Sequence, residues 1–247
     1  MRDSVDLFSG TPDEVPPQVI VTDPDQRLRT ALDALDAAFA PFSDQPFDVG
    51  GCAYCYPDAG LAALAGPARL VPEELIPSVS AKSIGHWDDG PGLYRKMTPR
   101  IVRALATGRL HVDHGLIASR LLEAGWRDWP GPEREALDAV WSAWWRATLH
   151  RHPGVAPVTD VLETIAVSTG SLAPWLGIWA ATRTEAAERH LSDAMAGWLS
   201  YGQLSGLRLG FYDELDATAE LLPWLLSLGE DRIGAAQLYE VEKIAYS

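Results

Sequence analysis

The only two cysteines of the chain stand together as Cys52-Ala53-Tyr54-Cys55, directly before Tyr56-Pro57-Asp58. Their i, i+3 spacing lets both sulfurs point to one side of a turn, which is half of a tetrahedral zinc site. Zinc would need two more ligands, and with no second cysteine pair the candidates are His86, His111, His114 or a carboxylate such as Asp88. Redox chemistry is the alternative: a helix starting near Pro57 would lower the pKa of Cys55 through its dipole. Thioredoxin-like enzymes, however, carry such a pair on a strand-to-helix turn of a βαβ unit, and no matching strand is legible. Two thiols packed as small hydrophobes at a helix start remain the default for a lone pair.

Other polar groups offer weaker patterns. Asp88-Asp89 could hold Mg²⁺, yet Asp-Asp-Gly-Pro-Gly is turn composition and no second acidic motif accompanies it. His190 and Asp193 form an i, i+3 acid/base pair that reads as the polar flank of the Ala187, Leu191, Ala194, Trp198 stripe. The sequence lacks His-Glu-x-x-His, a phosphate-binding Gly-x-x-x-x-Gly-Lys, a dinucleotide glycine fingerprint and a Gly-x-Ser-x-Gly elbow. The paired Glu-x-x-His of di-iron bundles is also missing.

The elements that would position these groups are helical. Asp23-Pro24 is a cap followed by proline at the first helical position, and Leu28, Ala31, Leu32, Leu35 and Phe39 recur at helical spacing up to Pro41. Helices are predicted to begin at Pro57, at Pro72-Glu73-Glu74, at Thr98-Pro99 (ending at Gly108) and after Asp113 (ending at Gly125). After Gly131-Pro132 a stripe of Leu137, Val140, Trp141, Trp144 and Trp145 predicts a buried helix face. Further helices are predicted over 158–168, 173–181, 185–199, 214–228 and 231–245, with Pro223 kinking or breaking the fourth of these.

Residues 1–16 read as a loose arm, and 17–22, with Val19-Ile20-Val21, as a short strand. The expectation is one all-α domain over 17–247. It would be an irregular bundle of about ten helices, with stacked helix pairs as the other arrangement.

Most of the ten tryptophans lie on apolar helix stripes and read as core. Trp126 and Trp129 sit in the turn Gly125-Trp126-Arg127-Asp128-Trp129-Pro130, where aromatics either staple two helices or face a partner.

A formal net charge of −14, with only Lys82, Lys96 and Lys243 as lysines, argues against binding nucleic acid or an anionic membrane. No apolar run approaches the roughly 18 residues of a membrane span. The start of the chain lacks a basic segment followed by an apolar one, so a cytoplasmic location is expected.

At the Cys pair, at Met97-Thr98-Pro99-Arg100-Ile101 and at Ala124-Gly125-Trp126-Arg127-Asp128-Trp129-Pro130, the chain resembles an uncharacterised family of bacterial helical proteins. That family has a Cys-rich pair, a Leu-Pro-Arg helix, then a Gly-Trp and Trp-Pro turn, in this order, over about residues 50–150 of this chain. The resemblance implies an all-helical fold and brings no activity with it. The segment Ser83-Ile84-Gly85-His86-Trp87 departs from the pattern, and the His111/His114 pair is no part of it. Both departures count against a Cys2His2 site.

The expected function is therefore a non-enzymatic interaction protein capturing a basic protein partner, an immunity or regulatory protein being its concrete form. The alternative is a metal- or thiol-dependent protein using Cys52, Cys55 and His86. A third reading is an enzyme whose polar groups converge only in the fold.

Overall fold

A computed structural model of the chain describes residues 23–51, 54, 56–200 and 203–246. The strand expected over 17–22, the N-terminal arm, Cys52 and Cys55 lie outside these residues. Within them the fold is all-α: twelve α-helices and one two-stranded ribbon.

α1 (Pro24–Ser43) starts as its sequence predicts, the Asp23 carboxylate accepting the Asp25 N–H, and it buries Leu28, Leu32, Leu35 and Phe39. It does not stop before Pro41. The last turn is held from outside: Ser43 Oγ donates to Lys96 O (2.9 Å), and the Phe42 ring lies under the Arg95 guanidinium (4.1 Å). α2 (Asp58–Ala65) occupies the predicted place, whereas α3 (Leu75–Ala81) begins later than expected because Pro72 to Glu74 form a turn.

The greatest departure among the early helices is α4 (Gly90–Ala106). It starts at the cap Asp89, which accepts the Gly92 N–H (2.9 Å), and runs straight through the Thr98-Pro99 signal taken as its start. Pro99 removes one backbone hydrogen bond, but Leu93, Met97, Ile101 and Leu105 are all buried along one stripe, so packing outweighs the local breaker.

α5 (His114–Glu123) and α7 (Val158–Thr169) pack on each other, and α6 (Gly131–Leu149) runs against α1. α6 also carries the aromatic core toward α8 (Ala173–Ala181), α9 (Glu185–Leu199) and α10 (Thr218–Leu228). There Trp179 meets Trp145 (5.4 Å) and Trp198 (6.2 Å) edge-on and Trp224 (5.5 Å) at a tilt of 38°. Trp145 Nε1 donates to Trp175 O and Trp179 Nε1 to Ala187 O, so these indoles are both hydrophobic mass and anchored donors. The tryptophans predicted as core, Trp141, Trp144, Trp145, Trp175 and Trp179, are buried.

The helix expected from Glu214 does not start there. β1 (Arg208–Leu209) pairs antiparallel with β2 (Leu215–Asp216), and α10 follows, its Thr218 N–H bonded to the Asp216 carboxylate. The turn between the strands needs positive φ at Gly210 (+92°) and Asp213 (+58°), residue types that tolerate it. Pro223 lies inside α10 without ending it, with Leu221 and Trp224 buried on either side. Gly234 at φ +75° splits the last predicted helix into α11 (Glu230–Ile233) and α12 (Ala235–Ala245). No helix among the described residues is long and apolar enough to cross a membrane.

Candidate functional site

Of the predicted site residues, Cys52 and Cys55 lie outside the described residues, and among the described ones His86, Asp88, His111 and His114 do not group as metal ligands. Gly51 forms an isolated bridge to Trp87 and Asp88 N donates to Gly50 O, so the residue before Cys52 lies beside the residue after His86. His86 is half-buried against the rings of Tyr56 and Trp87, and its Nε2 has no hydrogen-bond partner among the described residues. Of the Asp88-Asp89 pair, Asp89 is engaged as the α4 cap. His111 is exposed, while His114 Nδ1 bonds Thr164 Oγ1 (3.0 Å). Burial lowers the His114 pKa, partly opposed by Asp160 and Asp113.

Trp126 and Trp129 present no ring face to a partner. They are 4% and 8% exposed; Trp126 Nε1 donates to Ser168 O (3.1 Å), Trp129 Nε1 donates to Ala124 O (3.1 Å), and Trp129 meets Phe39 of α1 edge-on at 5.6 Å. Of the two roles their turn allowed, they perform the staple. The turn lies between α5 and α6, and both indoles fold inward because each finds a backbone carbonyl there.

Exposed aromatics lie elsewhere: Tyr54, Tyr239 and Tyr246 stand singly, whereas Phe211 and Tyr212 form an adjacent pair in the β1–β2 turn. Phe211 and Tyr212 are each 54% exposed, their rings in a T-shaped contact at 5.0 Å. This turn is pinned from beneath. Gly210 N donates to Glu163 Oε1 (2.7 Å), Phe211 N to Ser119 Oγ (3.1 Å) and Tyr212 N to Glu214 Oε2 (3.0 Å). The buried Arg120, held by Glu123 (2.6 Å), donates to Tyr212 Oη (3.2 Å) and faces its ring. The two rings are thus offered to solvent from a fixed frame.

Four carboxylates surround the frame. Glu163 Oε1 and Asp113 Oδ1 both lie against Gly115, where an added Cβ would stand 2.8 and 3.2 Å from them, and Glu214 Oε2 crowds the same position of Gly210. Burial raises the Glu163 pKa; the Gly210 N–H opposes this, while Asp113, Asp160 and Glu214 add to it. Among the described residues, none of Asp113, Asp160, Glu163 and Glu214 forms an ion pair with Lys or Arg. Asp33, Asp36, Glu123, Glu133 and Glu188 elsewhere are paired with arginines.

The same face is grooved. A cavity of about 310 Å³ between α7, α9 and the ribbon has Leu162, Leu172 and Trp198 in its wall, with Asp160, Glu163 and Arg208 beside them. Arg208 is bound to Asp213 O (2.6 Å) and faces Asp216. A second cavity, of about 430 Å³, lies beside the start of α7 and holds His152, His190 and Asp193.

Sequence reading passed over Phe211 and Tyr212, although the reasoning applied to Trp126 and Trp129 fits them: adjacent aromatics in a turn bracketed by Gly210 and Asp213. His152 gave no signal, because its neighbours are forty residues away in sequence, on α9.

Comparison with protein-family models, with curated proteins and with solved structures finds no match to this chain. The functional reading is accordingly drawn from the chain's own residues.

Proposed function

We propose that this protein is an acidic interaction protein, and that it captures a basic protein partner on the face formed by the β1–β2 turn and the start of α7. The observation that carries this reading is the pairing of two half-exposed aromatic rings with four carboxylates that, among the described residues, have no Lys or Arg ion-pair partner. Aromatic anchors ringed by charge are what a specific protein interface presents, and the sign of the charge selects the partner.

The electrostatics supply a driving force. Glu163 is partly desolvated and crowded by like charges, so its ionised form is disfavoured in the free protein. A lysine or arginine from a partner would offset that penalty while Phe211 and Tyr212 lose their contact with water. Such a face suits a protein that neutralises or regulates a basic partner.

A random peptide display library, selected on the purified protein, tests the proposal. The enriched sequences are expected to carry Lys or Arg next to an aliphatic or aromatic residue. Binding should weaken strongly in Phe211→Ala/Tyr212→Ala and measurably in Glu163→Gln/Glu214→Gln, and be retained in Glu74→Gln, an exposed acidic residue before α3. Enrichment of acidic or uncharged sequences, or binding indifferent to both double variants, would overturn it.

A further inference from the structure

The face just described uses none of the histidines in the larger cavity, and these have a geometry of their own. His190 and Asp193 project from α9 one turn apart, while His152 reaches them from the α6–α7 loop. His152 Nε2 is 2.8 Å from Asp193 Oδ2, and the two imidazole centroids are 4.7 Å apart. One ligand atom from each of the three side chains can be chosen so that all lie within 4.8 Å of one another.

The tautomer of His190 follows from its partners. The ring is 3% exposed, and its Nε2 faces two carbonyls, Thr148 O (3.1 Å) and Arg151 O (2.9 Å). Carbonyls only accept, so Nε2 carries the proton and Nδ1 keeps its lone pair. An imidazole held by a backbone carbonyl through one nitrogen, with the other left free, is the arrangement that orients metal-bound histidines. Gly154, Ala194 and Gly197 line the same cavity of about 430 Å³, and these small residues leave room above the three donors.

We infer that His152, His190 and Asp193 form a divalent transition-metal site, with zinc as its best-fitting ion. Two imidazoles and one carboxylate are a donor set for zinc rather than for calcium or magnesium, which prefer oxygen shells. Three protein ligands leave a fourth position facing the cavity, for water or a small anionic ligand. Bonds of about 2.0–2.2 Å set tetrahedral donors roughly 3.3 Å apart, so the widest pair must close by about 1.5 Å. His152 on its loop and the exposed Asp193 are free to do this, the metal replacing the hydrogen bond between them, whereas the buried His190 is the fixed point.

The test is calorimetric titration of the full-length, tag-free protein with zinc chloride at neutral pH, beside its thermal unfolding. One zinc per chain is expected. Zinc at about one hundred times its Kd should raise the Tm by about 5 °C. His152→Gln and Asp193→Asn, which remove the two less buried ligands, should each weaken binding more than about tenfold with an unchanged circular dichroism spectrum. Cys52→Ser/Cys55→Ser should bind zinc as the wild type does. Absence of zinc binding would overturn the assignment, and so would binding that survives both His152→Gln and Asp193→Asn but is lost with the cysteines.

Discussion

Truncating Trp129 and truncating Phe211 should cost very different amounts of stability, and the contrast separates a structural aromatic from a presented one. Trp129 is 8% exposed, donates to Ala124 O and packs against Phe39, so Trp129→Ala opens a cavity between α1 and the turn before α6 and leaves that carbonyl unpaired. Core Trp→Ala changes cost about 3–5 kcal/mol. With an unfolding entropy of about 2.1 cal/mol/K per residue, 247 residues give about 0.5 kcal/mol per degree, and the Tm should fall by about 6–10 °C.

Phe211 is 54% exposed. A phenyl side chain of about 200 Å² then has about 90 Å² covered, which at about 25 cal/mol/Å² limits the loss to about 2 kcal/mol. Much of that covered half faces Tyr212, itself half-exposed, so about 1 kcal/mol and a Tm decrease of about 2 °C are expected for Phe211→Ala. Scanning calorimetry of the two variants beside the wild type measures both. A Tm loss for Phe211→Ala equal to that of Trp129→Ala would mean that the turn ring is a structural element, and the presented surface would lose its anchor.

Two other perturbations probe buried charge, one in the frame of the site and one between α4 and α6. The pKa of Glu163 is raised from 4.5 by burial foremost, so the folded state holds the proton more tightly than the unfolded one. That contribution is fully present below about pH 4.5 and lost as pH rises through the folded value; Glu163→Gln should therefore be more stable than wild type at pH 7, the gain vanishing in acid, and equal urea midpoints at both pH values would contradict this. Arg95 grips Glu133 through two bonds (2.7 and 2.6 Å) with side chains 24% and 6% exposed. Glu133→Ala should lose about 3 kcal/mol in urea unfolding, whereas Arg95→Met/Glu133→Leu should stay within about 1 kcal/mol of wild type; equal losses would show that the pair's charge is not what matters there.

The architecture was largely legible, because helical periodicity and capping are local. Asp23, Asp113 and the Trp141-Trp144-Trp145 stripe marked elements that exist as read. The breakers misled. Pro41, Pro99 and Pro223 all lie inside helices: apolar residues are buried on both sides of Pro99 and Pro223, and the turn after Pro41 is held by Ser43 on Lys96 O and Phe42 under Arg95, so one lost backbone bond does not end the helix. The ribbon after Arg208 was missed because strands of two residues carry no periodic signal, leaving only Gly210 and Asp213 as turn markers.

The site was less legible than the fold. Trp126 and Trp129 were correctly placed in a turn, but their inward direction depends on Ser168 O and Ala124 O, one of them on another helix. Glu163 and the three carboxylates around it come from the cap of α5, from α7 and from the β1–β2 turn, so only tertiary packing brings them together. His190 and Asp193 were visible as a pair at helical spacing. The loop histidine that completes them was not.

The central claim is that Phe211, Tyr212 and the carboxylates around Glu163 bind a cationic, partly apolar protein segment. Its most direct test is the affinity of a display-selected basic peptide, measured by calorimetry between about 50 and 300 mM NaCl, where screening changes most for exposed charges. The predicted result is binding that weakens steadily with salt and falls about 100-fold in Phe211→Ala/Tyr212→Ala, with a flatter salt dependence in Glu163→Gln/Glu214→Gln. Affinity independent of salt, or unchanged by both double variants, would contradict it.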